Sequence, residues 1–206
     1  LVGGEGRDVL DGGEGSDTAS YADALTGVAA DLGVKKGTYG EAIGDKFVSI
    51  ENLAGSAFAD ALYGDRFDNI LSGGAGDDHL EGFGGTDTLL GGAGNDVLMG
   101  GKNIDILSGG AGADSFLFEK TDTGKTAATA DSILDFLGGI DRIDLSSIDA
   151  IARTKDIDDG FTFIGSNRKC SVHEVGLIDL MAIALLANQL PKQRALIGIQ
   201  PQTIAW

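Results

Sequence analysis

The chain has one cysteine, Cys170, in 206 residues, so it can form no internal disulfide. It has two histidines, His79 and His173, and two prolines, and only 6% of it is aromatic. A zinc hydrolase site built on H-E-x-x-H needs two histidines on one helical face. The single "HE", His173-Glu174, has Leu177 where the second histidine would stand. No G-x-S-x-G elbow is present, which removes that route to a serine nucleophile. Zinc of any kind finds no thiolate pair and too little imidazole. No apolar run reaches the roughly 18 residues of a membrane span. The nearest, "LIDLMAIALLA", is short and contains Asp179. Positive charge is scarce as well. Residues 1–164 carry 30 acids and 11 bases, and residues 165–206 carry 2 acids and 4 bases, for a net −17. Nucleic acid and anionic membrane would be repelled, and cations are the natural partner. The opening "LVGGEGRDVL" lacks an initiator methionine, a basic region and an apolar stretch. The expectation is a fragment of a longer chain with no signal peptide.

Glycine is abundant, at 34 residues, and it is periodic. From Gly55 the chain divides into nines without a gap: GSAFADALY, GDRFDNILS, GGAGDDHLE, GFGGTDTLL, GGAGNDVLM, GGKNIDILS and GGAGADSFL, ending at Leu117. Position 1 is always glycine. Position 6 is aspartate except at Asn69. Position 8 is leucine in every unit but the last, which has Phe116. Two further units, GGEGRDVLD and GGEGSDTAS, fill residues 3–20 out of frame, so residues 21–54 read as an insertion. Glycines at positions 1, 2 and 4 suit a tight turn with carbonyls on one side. Positions 7 to 9 are long enough for a short strand whose middle residue points inward. Two units then make one coil with two strands, and coils stack roughly 4.8 Å apart. The inward leucine column is the whole core of the repeat.

Stacking unit n on unit n+2 sets Asp60, Asp78, Asp96 and Asp114 along one edge, and Asn69, Asp87 and Asp105 along the other. Carboxylates about 5 Å apart repel by roughly 3 kcal/mol at an effective dielectric near 20. A hard divalent cation reverses that sign. Turn carbonyls and carboxylates are the six to eight oxygens that Ca²⁺ takes without strict geometry, whereas Mg²⁺ demands an octahedron.

The repeat resembles the RTX calcium-binding nonapeptide G-G-x-G-x-D-x-U-x, whose fold is a parallel β-roll. The resemblance implies an all-β, right-handed parallel β-roll with two strands per 18-residue coil, several bound Ca²⁺ and no catalysis in this chain. Candidate ligand turns are Gly73, Gly74, Gly76 and Asp78; Gly91, Gly92, Gly94 and Asp96; and Gly109, Gly110, Gly112 and Asp114. Departures from the pattern order the others. Asp87/Asp105 comes next; Asn69/Asp87 lacks a charge, and Asp60/Asp78 lacks two glycines. Asp8 and Asp17 sit in good turns whose upstream partner coils are absent. His79, at position 7, should face outward as a surface residue.

Residues 21–54 resemble the stretch between roll units of the serralysin-type C-terminal domain, with Ile50 and Leu53 as inward candidates. "SFLF", Ser115 to Phe118, suits a hydrophobic end to the stack. Residues 118–164 resemble the β segment after the roll in that domain. There Ile133, Phe136, Ile140, Ile143 and Leu145 should pack as strands, while Asp131, Asp135, Asp141 and Asp144 read as turn and surface residues rather than one more ion site. "DIDDG", Asp156 to Gly160, is one residue short of an EF-hand opening and reads as a loop. The resemblance ends at Gly165. Residues 165–206 are net basic, and "EVGLIDLMAIALLANQL" reads as a helix ended by Pro191. A frameshift that replaced the original terminus is the expectation, testable by resequencing the source DNA.

The family resemblance brings candidate parents: serralysin-like zinc proteases, mannuronan epimerases, lipases, pore-forming toxins and adhesins. The expected function is a calcium-folded module of a secreted bacterial protein, monomeric, that assists export of its passenger through type I secretion machinery. The alternatives are the non-catalytic tail of a secreted enzyme and an adhesin or polysaccharide-binding module.

Overall fold

Strands of two to six residues make up the roll in a computed structural model of the chain, which describes residues 1–119 and 130–144 and the backbone of 161–165 and 168–172. They form two sheets. The nine-stranded one runs, neighbour to neighbour, Val9–Asp11, Lys46–Val48, Lys36–Tyr39, Ala29–Asp31, Ala61–Tyr63, His79–Glu81, Val97–Met99, Ser115–Leu117 and Arg142–Asp144. The six-stranded one runs Ser132–Ile133, Ile106–Ala111, Thr88–Ala93, Ile70–Ala75, Asn52–Ala54 and Thr18–Ser20. Pairing is parallel except around Lys36–Tyr39, which is antiparallel to both neighbours. This is an all-β parallel β-roll.

The register is the one the nine-residue period dictates. Leu71, Leu89 and Leu107 are direct partners in one sheet, and Leu62, Leu80, Leu98 and Phe116 in the other. These seven side chains are completely buried, while their flanking neighbours face outward. A three-residue strand can bury only its middle side chain, so the core between the sheets is one residue wide per strand.

Residues 21–54 are built into the roll. Ala29–Asp31 stacks on Ala61–Tyr63, and Asn52–Ala54 bridges Thr18–Ser20 and Ile70–Ala75. Ile50 and Leu53 are buried, as expected. Tyr21, Val28, Leu32 and Phe47 join them, so the core is thicker here than in the repeats.

At the other end Phe116 and Phe118 are buried, and Phe136 stacks on Phe116 with ring centroids 6.2 Å apart. Ser132–Ile133 and Arg142–Asp144 each add one strand to a sheet. Ile133 and Ile143 face the core, but Ile140 is exposed: it sits in the turn, at position 5, not on a strand. Leu145 lies outside the described residues, as do Asp156 to Gly160, His173-Glu174 and the helix read over 174–190. Phe161–Gly165 and Arg168–Val172 form an antiparallel hairpin, so the boundary expected at Gly165 falls inside one element.

Candidate metal columns

The fold brings the position-6 residues into two ladders. On the first edge the backbone N–H of Asp60 donates to Oδ1 of Asp78 at 2.8 Å, Asp78 to Asp96 at 2.8 Å, and Asp96 to Asp114 at 2.9 Å. On the second edge Asn69 donates to Asp87 and Asp87 to Asp105, both at 2.8 Å. One oxygen of each acid is therefore tied to the coil before it, and the other turns back toward its own glycine turn.

That second oxygen is the informative atom. Oδ2 of Asp78, Asp87, Asp96 and Asp114 is buried and accepts no hydrogen bond. A buried carboxylate oxygen without a partner is costly, and native proteins rarely tolerate one without an ion or a donor. A Cβ on Gly91 would strike Oδ2 of Asp96 and lie 2.7 Å from the carbonyl oxygen of Gly109, so position 1 is glycine because the carboxylate fills the side-chain space. Gly73 and Gly109 stand in the same relation to Asp78 and Asp114. At position 2, Gly92 has φ +117°, and a Cβ there would overlap the carbonyl oxygen of Gly74 one coil back; Gly74 and Gly110 face the preceding coil likewise. Gly76, Gly94 and Gly112, at position 4, also pass close over the backbone of the coil before. The turns of Asp78, Asp96 and Asp114 thus gather carbonyl oxygens and a bare carboxylate oxygen.

Electrostatics agree with the geometry. Burial pushes Asp78 and Asp87 up to about 7 and Asp96 to about 6, and raises Asp114. The hydrogen bond from the preceding N–H opposes this, and neighbouring carboxylates add to it. Without a cation, burial shifts all four acids toward the protonated form. Among the described residues no three His, Cys, Asp or Glu side chains converge on one point. A cation here draws on backbone carbonyls, which is an oxygen site for Ca²⁺ and not a zinc site.

Several positions differ from the reading of the sequence. The coil that follows Asp8 and Asp17, which the nine-residue spacing did not locate, comes from residues 21–54. Asp8 N–H donates to Asp45 and Asp17 N–H to Glu51, at 2.8 and 2.9 Å, and Oδ2 of both aspartates is buried without a donor. Asp131 and Asp141 are not merely surface residues. They extend the ladders, accepting from Asp105 N–H at 3.0 Å and Asp114 N–H at 3.1 Å. Asp135 takes the N–H groups of Gly109 and Gly110 and the hydroxyl of Ser108, closing the last full turn. Asp144 does stay outside, in an ion pair with Arg142. The missed signal was a relaxed repeat: Phe136 to Asp144 keeps Gly139 at position 4, Asp141 at position 6 and Ile143 at position 8, with Phe136 in place of the first glycine. His79 lies on the outer face, half-buried beside Tyr63 at 5.8 Å between ring centroids, and points away from both ladders.

The family model of the Peptidase M10 serralysin C terminal matches residues 30–204. The chain belongs to the serralysin C-terminal family. The model of the RTX calcium-binding nonapeptide repeat (4 copies) matches residues 1–20, around Asp8 and Asp17. No curated protein matches the chain. The serralysin C-terminal match runs past Gly165, where the sequence reading ended the resemblance. Its RTX repeats make calcium the metal of this domain. Neither the serralysin C-terminal domain nor the RTX repeat is a catalytic unit. The chain is a calcium-binding module of the kind found in secreted proteins.

Proposed function

We propose that this serralysin C-terminal domain is a calcium-driven folding element. It stays largely unfolded at cytosolic calcium, leaves the bacterial cell in that state as part of a longer chain, and folds outside, helping its passenger to fold. The observation that carries this reading is the row of buried, donor-less Oδ2 atoms at Asp78, Asp87, Asp96 and Asp114. With them the proposed ligand turns are Gly73–Asp78, Gly91–Asp96 and Gly109–Asp114 on one edge, Asp87 and Asp105 on the other, and Asp8 and Asp17 at the start.

Magnitudes support a switch. A site with Kd near 10⁻⁴ M in about 1 mM Ca²⁺ adds roughly 1.4 kcal/mol. Several such sites together approach the stability of a whole domain, and at sub-micromolar calcium they add almost nothing. The one-residue-wide leucine column has little reserve to replace them. Circular dichroism during titration with Ca²⁺ and then EGTA tests the proposal. Strand signal should rise and fall with the free ion, and a signal indifferent to EGTA would end it.

The family match also supports a second reading, in which the module is the non-catalytic tail of a secreted enzyme and steadies a catalytic domain. The two share the calcium mechanism. They part on whether deleting the module lowers export or lowers the activity of exported enzyme.

A further inference from the structure

Two position-6 residues break the pattern of the ladders. Asp60 is buried like its neighbours, yet both of its oxygens are satisfied. Val28 N–H donates to Oδ1 at 2.6 Å, Ser56 N–H donates to Oδ2 at 2.5 Å, and the Ser56 hydroxyl lies 2.9 Å from Oδ1. Ser56 stands where Gly74, Gly92 and Gly110 stand in the later turns, and it is itself buried. Asn69 solves the same problem by chemistry. Its Oδ1 accepts the N–H of Asp65 at 2.7 Å, and its Nδ2 donates to the carbonyl oxygen of Glu51 at 2.7 Å. A carboxylate at that place would aim an oxygen at another oxygen, and only a cation between them would relieve it.

We infer that Ser56 and Asn69 are built-in replacements for the cation, and that they make residues 21–72 a calcium-independent seed on which the later coils are laid down. This rests on the calcium reading above. The seed is also where the core is thickest, with Tyr21, Val28, Leu32, Phe47, Ile50 and Leu53 buried beside the leucine column. Beyond it, each repeat strand contributes one core residue, and Asp78, Asp87, Asp96 and Asp114 each present a bare carboxylate oxygen. Folding thus has a direction: a hydrogen-bonded platform first, then coils added as calcium fills successive intervals.

Hydrogen exchange on the full chain, with calcium and with EGTA, tests this amide by amide. The amides of Tyr21, Leu32 and Ala61, bonded to Ala54, Tyr63 and Val28, should keep their protection in EGTA. Those of Thr88, Val97, Ile106 and Ser115, bonded across the calcium ladders, should lose about two orders of magnitude or more. If the first group exchanges together with the second, the seed is overturned while the calcium reading survives. If neither group responds to calcium, both fall. Asn69→Asp gives the complementary measurement. Equilibrium dialysis with Ca²⁺ should find one more ion per chain than in the wild type, and EGTA should now remove the protection around Ile70. An unchanged ion number overturns the assignment. Should that variant not fold, the hydrogen exchange of the wild-type chain decides alone.

Discussion

At Asp96 the two carboxylate oxygens have separate tasks. Oδ1 holds the N–H of Asp78, and Oδ2 stands bare in the turn. Substitutions can separate them. Asp96→Asn keeps an acceptor for Asp78 and replaces the bare oxygen with an uncharged donor. The metal-free fold should then be as stable as the wild type or slightly better. Calcium should stabilise it less, by roughly 1.4 kcal/mol for each of the two intervals that this residue borders. Asp96→Ala should lose on both counts, because Asp78 N–H is left unpaired in a buried place. Tm measured in Ca²⁺ and in EGTA for the three proteins checks the point. A normal calcium response in Asp96→Asn would mean that Oδ2 is no ligand.

One scale up, the unit is the six-residue turn, and its tolerance differs sharply by position. Gly92→Ala puts a methyl group onto the Gly74 carbonyl at a φ of +117°, so it should cost about 1–3 kcal/mol even in saturating calcium. Ala93→Ser, one residue on and exposed, should stay within about 0.5 kcal/mol. Thermal unfolding of the pair in excess Ca²⁺ reads both, and equal losses would refute this account of the turn. Such turns were legible in the sequence wherever glycine kept its period, which is why the ladders from Asp60 to Asp114 could be drawn from spacing alone. Where loops intervene the spacing fails. Val28 meets Asp60 across 32 residues, Asp105 meets Asp131 across 26, and Asp114 meets Asp141 across 27, instead of 18. Stacking needs an inward apolar residue and an acceptor for the preceding N–H. It does not need equal loop lengths, and a strict nine-residue frame could not see those rungs. The hydroxyl of Ser56 was hidden for a different reason: a lost glycine reads as a weakened calcium turn until its hydrogen bond to Asp60 is visible.

For the whole molecule, the net charge of −17 and the buried acids make proton and calcium rivals for the same oxygens. In the metal-free fold Asp78 and Asp87 titrate at about 7 and Asp96 at about 6, against an ordinary 3.8, because burial penalises the anion. A group whose folded pKa is raised binds more protons folded than unfolded, so unfolding becomes easier as pH rises through that window. The contribution is complete below about pH 4 and is gone above about pH 7. In EGTA, then, strand content and Tm should increase as pH falls from 8 toward 5. With calcium present the slope reverses, because the ion must displace those protons to bind, and apparent affinity should fall with acidity across the same range. The decisive result is the convergence of the two curves as pH falls, the calcium curve descending toward a rising EGTA curve. If the EGTA-treated protein loses structure on mild acidification, the buried carboxylates are not what opposes folding, and the metal columns cannot act as the switch.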